Sequence, residues 1–145
     1  MNKQCELIEK IYKDAAMGRF STRKLLDSLK GRDNKITGDV ESIFEGYSSF
    51  EEKAKEELLA CDMTPEEEGS IAKMMSSMGI FKEVISDNSD AAIADLLIQG
   101  LSMGVIEMEK RIKSASDDIN KEHLKLAKDF KKFQEKSQKT MEKYL

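Results

Sequence analysis

The chain has 145 residues and a formal net charge of −4, with 36% charged and 39% hydrophobic residues. Folding a chain of about this length buries roughly two thirds of its unfolded surface, so one core suffices. A single proline, no tryptophan and few β-branched runs leave little from which to build a sheet, and the acidic balance excludes a generally nucleic-acid-coating protein.

Apolar positions Cys5, Ile8, Tyr12, Ala15, Leu26 and Leu29 recur at helical spacing. They predict a first helix from about Asn2 to Lys30, ended by Gly31-Arg32-Asp33-Asn34, with Gly18 and Ser21 as points where it can bend. A second helix, from about Thr37 to Cys61, sets Val40, Ile43, Tyr47, Ala54 and Leu58 on one face and Glu41, Glu45, Glu52 and Glu56 on another. Thr64-Pro65-Glu66-Glu67 is a helix start: Thr64 accepts from a free backbone N–H, Pro65 suits the first helical position and Glu67 reaches back. A shorter third helix follows through Ile71, Met74, Met75, Met78, Phe81 and Ile85 to the break at Ser86-Asp87-Asn88-Ser89.

The fourth helix, from about Asp90 to Ser114, contains Ala91–Met108, in which twelve of eighteen residues are apolar. A helix apolar on most sides belongs inside a protein, so this one is expected at the centre with the others wrapped around it. Asp95, Gln99 and Glu107 interrupt it and Lys110 and Arg111 close it, which argues against a membrane span. Ser116 is the expected cap of a fifth helix, with Asp117 and Asp118 at its positive end and Ile119, His123, Leu126, Phe130 and Phe133 inside. Four elements of about 25–29 residues, each roughly 37–43 Å long, fit an all-α, elongated up-down bundle of about five helices in one domain, residues 1–145.

Candidate sites are sparse. Gly100-x-x-x-Gly104 lets another backbone approach closely, whether a helix of the same subunit, a second copy or a ligand. Met74, Met75 and Met78 form a soft, adaptable cluster that serves equally as core filler or as a contact surface. Asp95, Gln99 and Ser102 read as a wet edge of the fourth helix. Residues 121–145 hold eight lysines against four acidic residues, a solvated face or one paired with the acidic second helix; no aromatics interleave them as base stacking requires. Cys5 and Cys61 lack metal or redox spacing and are expected as packed thiols, and no signal peptide opens the chain, which sets a cytoplasmic expectation.

His123, the single histidine, falls on an apolar helix face. In ferritin-like di-iron bundles, two helices each bring Glu-x-x-His and two others each bring one Glu. Here Asn120 precedes His123 by three, Ala54 stands where a partner histidine belongs, and Ala15 and Ala16 occupy the inward midpoint of the first helix. Asp14, Glu51, Asp95, Glu107 and His123 remain as an irregular ligand set for iron, manganese or zinc. The segments Ile11-Tyr12-Lys13-Asp14-Ala15-Ala16-Met17-Gly18, Ala72-Lys73-Met74-Met75-Ser76 and Leu97-Ile98-Gln99-Gly100-Leu101-Ser102-Met103-Gly104 together resemble a family of small uncharacterised bacterial helical proteins, similar in architecture to ferritin-like bundles. The resemblance implies fold and cytoplasmic location and no particular activity. The leading expectation is a non-enzymatic bundle without cofactor that works by association as a homodimer or with a protein partner, through Met74, Met75, Met78, Gly100 and Gly104. The alternative is a degenerate ferritin-like metal-binding or redox protein.

Overall fold

The computed structural model describes residues 3–65 and 87–145, which form helices, turns and loops without a strand. Four helices stand in this order: α1 (Lys3–Leu29), α2 (Thr37–Ala60), α3 (Asp90–Lys113) and α4 (Lys121–Glu142). The expected helix through Met74, Met75 and Met78 lies outside the described residues. The count of about five therefore stands at four among those described.

α1 runs as one helix through Gly18 and Ser21, the points where a bend was possible. The Ser21 and Thr22 hydroxyls donate back to the carbonyls of Met17 and Gly18, at 2.9 and 2.8 Å, without breaking the helix. It stops at Gly31, whose φ of +75° lies in the left-handed region that favours glycine and lets Arg32 N–H reach the Leu29 carbonyl at 3.1 Å. α4 starts later than expected. Asn120 caps it, accepting from the N–H groups of Glu122 at 2.8 Å and His123 at 3.3 Å. Ser116 instead bonds Asp118 within the preceding turn.

Cross-contacts set the helix directions. Tyr144 and Lys143, just past α4, reach Asp39 at the start of α2, Lys143 at 2.9 Å. At the other end His123 Nε2 lies 3.1 Å from Glu57 Oε2 near the end of α2. Asn34, between α1 and α2, donates to Asp90 Oδ1 at the start of α3 at 2.8 Å. So, among the described helices, α1 and α4 run one way and α2 and α3 the other. The end of α2 and the start of α3 thus lie at opposite ends of the bundle.

α1 and α2 pack as one antiparallel hairpin and α3 and α4 as a second; α1 and α4 each touch all three other helices, whereas α2 and α3 do not meet. This overturns the expectation of a central fourth helix. α3 is peripheral, burying Ile93, Ala94, Leu97, Leu101 and Met108 while Met103 stays 65% and Ile106 56% exposed. Position in a bundle follows the segregation of apolar residues rather than their average. The lysine-rich α4 concentrates Ala127, Phe130 and Met141 on one fully buried stripe, and α3 spreads its apolar residues around its circumference.

An aromatic cluster of Tyr47, Phe50, Phe130 and Phe133 joins α2 to α4, with Phe130 and Phe133 each 5.1–6.3 Å, centroid to centroid, from the other rings. Gly18 makes room for it: a side-chain carbon there would overlap the Tyr47 ring. Burial, followed by the Asp14 charge, pushes the Tyr47 hydroxyl well above its ordinary range. Cys5 and Cys61 are not packed thiols. They form a disulfide with Cα atoms 6.4 Å apart, because the antiparallel hairpin brings together residues 56 apart in sequence, a pairing that local spacing cannot reveal.

Candidate functional site

The five expected ligands disperse over the bundle. Lys10 Nζ, 2.9 Å from Asp14 Oδ1, also bonds Glu107, so one cation joins two of them across α1 and α3. Glu51 accepts from Arg19 Nε at 2.9 Å. His123, 4% exposed, is held by Glu57, which the sequence reading passed over. Asp95 is exposed and accepts from Gln99 Nε2 at 3.1 Å, one turn along the wet edge expected of it. Among the described residues no group of three or more His, Cys, Asp or Glu side chains converges as a metal site would require.

The Lys10–Asp14–Glu107 cluster adjoins an open cleft of about 300 Å³ lined by Glu6, Glu9, Lys10, Lys13 and Arg111. Mixed charge lines it, and Lys10 is already shared between two carboxylates. Asp14 Oδ2 is buried without a hydrogen-bond partner. Burial raises the Asp14 carboxyl above its ordinary value of 3.8, against the opposing pull of Lys10. The folded chain therefore holds this proton more tightly than the unfolded chain. Its contribution to stability grows as pH falls through the raised value toward 3.8 and fades as pH rises. Asp39 has the opposite sign: the Tyr144 hydroxyl and Lys143 hold its carboxyl below 3.8, so its stabilisation is present above that value and lost as pH falls through the lowered one. Asp14→Asn is expected to raise the urea midpoint near neutral pH and to remove the gain on mild acidification, measured between about pH 4 and 7.

The outer face of α3 is the distinctive surface. Ala92, Leu96, Gln99, Met103, Ile106 and Lys110 succeed one another in alternating steps of four and three, the spacing of a helix–helix seam. Gln99, Met103, Ile106 and Lys110 are exposed, and Ala92 and Leu96 half-buried. By length and composition α3 is the one described helix apolar enough to cross a membrane, yet this face is broken by Gln99 and ends in Lys110. That alternation is legible in the sequence and was masked there by the high apolar content.

The two glycines of α3 divide between roles. A side-chain carbon at Gly104 would collide with the amide of Gln134, a 2% exposed side chain of α4, so this glycine serves a close crossing inside the subunit. Nothing lies within 4 Å of the same position at Gly100. Gly104→Ala is expected to cost about 1–3 kcal/mol by overpacking. Gly100→Ala should add up to about 1 kcal/mol of helix propensity to the isolated subunit. Urea unfolding of dilute protein measures both.

In comparisons with known protein families, curated proteins and solved structures, nothing matches this chain.

Proposed function

We propose that this protein acts by association rather than by bond-making chemistry, as a homodimer whose subunits meet along the outer face of α3. The observation that carries this reading is the exposure of Met103 and Ile106, 65% and 56%, on a helix whose seam-like spacing has no partner among the described residues. Gly100 supports it: a glycine in a helix interior costs about 1 kcal/mol relative to alanine, and its open surroundings leave close approach by a second backbone as the compensating use. Charge favours an antiparallel pairing. Asp90 and Asp95 mark one end of α3 and Lys110, Arg111 and Lys113 the other, so a two-fold axis near Leu101 sets unlike ends together.

On this reading the carboxylates serve structure, as the lysine and arginine partners of Asp14, Glu107 and Glu51 suggest. Sedimentation equilibrium of the full chain from about 1 to 100 µM tests it, since a modest helix-pair seam corresponds to micromolar affinity. The expected result is twice the 16.4 kDa chain mass over the upper part of that range. A single-chain mass throughout sinks the reading.

A further inference from the structure

The two residues of the Cys5–Cys61 disulfide differ in exposure. Cys5 is 3% exposed, near the start of α1. Cys61 caps α2, is half-buried, and precedes Asp62, whose φ of +57° turns the chain away from the helix. Thiol–disulfide exchange needs a thiolate to approach one sulfur from behind, along the S–S axis, while the other sulfur leaves. Access makes Cys61 the attacked sulfur and Cys5 the leaving one. The helix ends act in the same direction. The amino end of α1 favours negative charge on a departing Cys5, and the carboxyl end of α2 disfavours it on Cys61.

We propose that Cys5–Cys61 is a reversible thiol–disulfide exchange site, opened by a small or protein-borne dithiol that attacks Cys61 Sγ. The attacking thiolate forms a mixed disulfide with Cys61, breaks the Cys5–Cys61 bond and releases Cys5 as thiolate, which takes a proton from water. The dithiol's second thiolate then attacks its own sulfur in the mixed disulfide, releasing Cys61 and closing a disulfide in the reagent. Two electrons pass to the protein, which ends with two thiols, and the dithiol ends oxidised. The surrounding contacts allow the exchange to run both ways. Glu57, one turn before Cys61, holds His123 of α4, and Leu7 and Leu58 remain buried at the same end, so this end of the bundle is anchored by more than the covalent link. This inference is independent of the α3 association.

The test uses the full chain, without denaturant, treated in separate samples with dithiothreitol and with reduced glutathione, then alkylated and mapped by mass spectrometry. Dithiothreitol is expected to yield both thiols with helical circular dichroism retained, and oxidised glutathione to restore the bond. Monothiol glutathione should be trapped on Cys61 in about tenfold excess over Cys5. Reduction only after unfolding, glutathione on Cys5 or evenly divided, or two cysteines that oxidised glutathione leaves unpaired would each overturn the proposal. Cys5→Ser and Cys61→Ser supply a second reading at about pH 10, where both thiols are ionised and access alone decides: the Cys61 thiol of the first should alkylate faster than the Cys5 thiol of the second. Trapping on the unmodified chain decides the matter if either variant does not fold.

Discussion

Phe130→Ala should lower the free energy of unfolding by about 3–5 kcal/mol, a large share of the total for a domain of this size. Phe130 is fully buried on α4, and its ring lies 6.2 Å from Tyr47 and 5.1 Å from Phe50, both on α2, and 6.3 Å from Phe133. Truncation removes the transfer free energy of the ring and leaves a cavity between the two hairpins. Collapse cannot readily refill it, because Tyr47 is itself wedged over Gly18 of α1. Urea denaturation at a protein concentration below any self-association measures the loss. A cost under about 1 kcal/mol would mean that the hairpins repack freely and that the aromatic cluster does not specify their docking.

The double variant Met103→Glu, Ile106→Glu should weaken self-association at least about 100-fold while moving the stability of the dilute subunit by no more than about 0.5 kcal/mol. Burying such side chains is worth about 1.5–3 kcal/mol each, and a two-fold interface uses each of them twice. The added carboxylates also place four charges in an otherwise apolar stretch of the seam. Sedimentation of the variant beside the parent chain gives the first number and urea unfolding the second. The pair of outcomes is diagnostic: a variant that loses several kcal/mol in dilute solution assigns Met103 and Ile106 to the subunit's own packing, and one that still associates removes α3 as the contact.

The fold was legible where apolar residues repeat on one helical face. Val40, Ile43, Tyr47, Ala54 and Leu58 were expected inside and are buried, and the boundaries of α1, α2 and α3 fall within a residue or two of those expected. Legibility failed where the answer depends on partners distant in sequence. Nothing local distinguishes a packed cysteine from one facing another 56 residues away. The high apolar content of α3 hid its one-sided burial, and Asn120, weighed only against a metal-ligand pattern, proved to be the cap of α4. His123 was expected to point inward and does, but Glu57, its partner, is one of many glutamates on α2 and carries no mark in the sequence. Of the association residues named from sequence, Gly104 turns inward to Gln134, Gly100 faces outward, and Met74, Met75 and Met78 lie beyond the described residues.

The disulfide also fixes how the protein answers a mechanical load. A tether pulling on the chain from both ends can straighten α3 and α4, but the loop closed by Cys5 and Cys61, a sequence separation of 56, is bypassed by the covalent link. At 3.3–3.6 Å per extended residue, about 200 Å of contour length stays hidden from the force. A dithiol releases all of it at once, so the redox state sets the reach of the stretched chain.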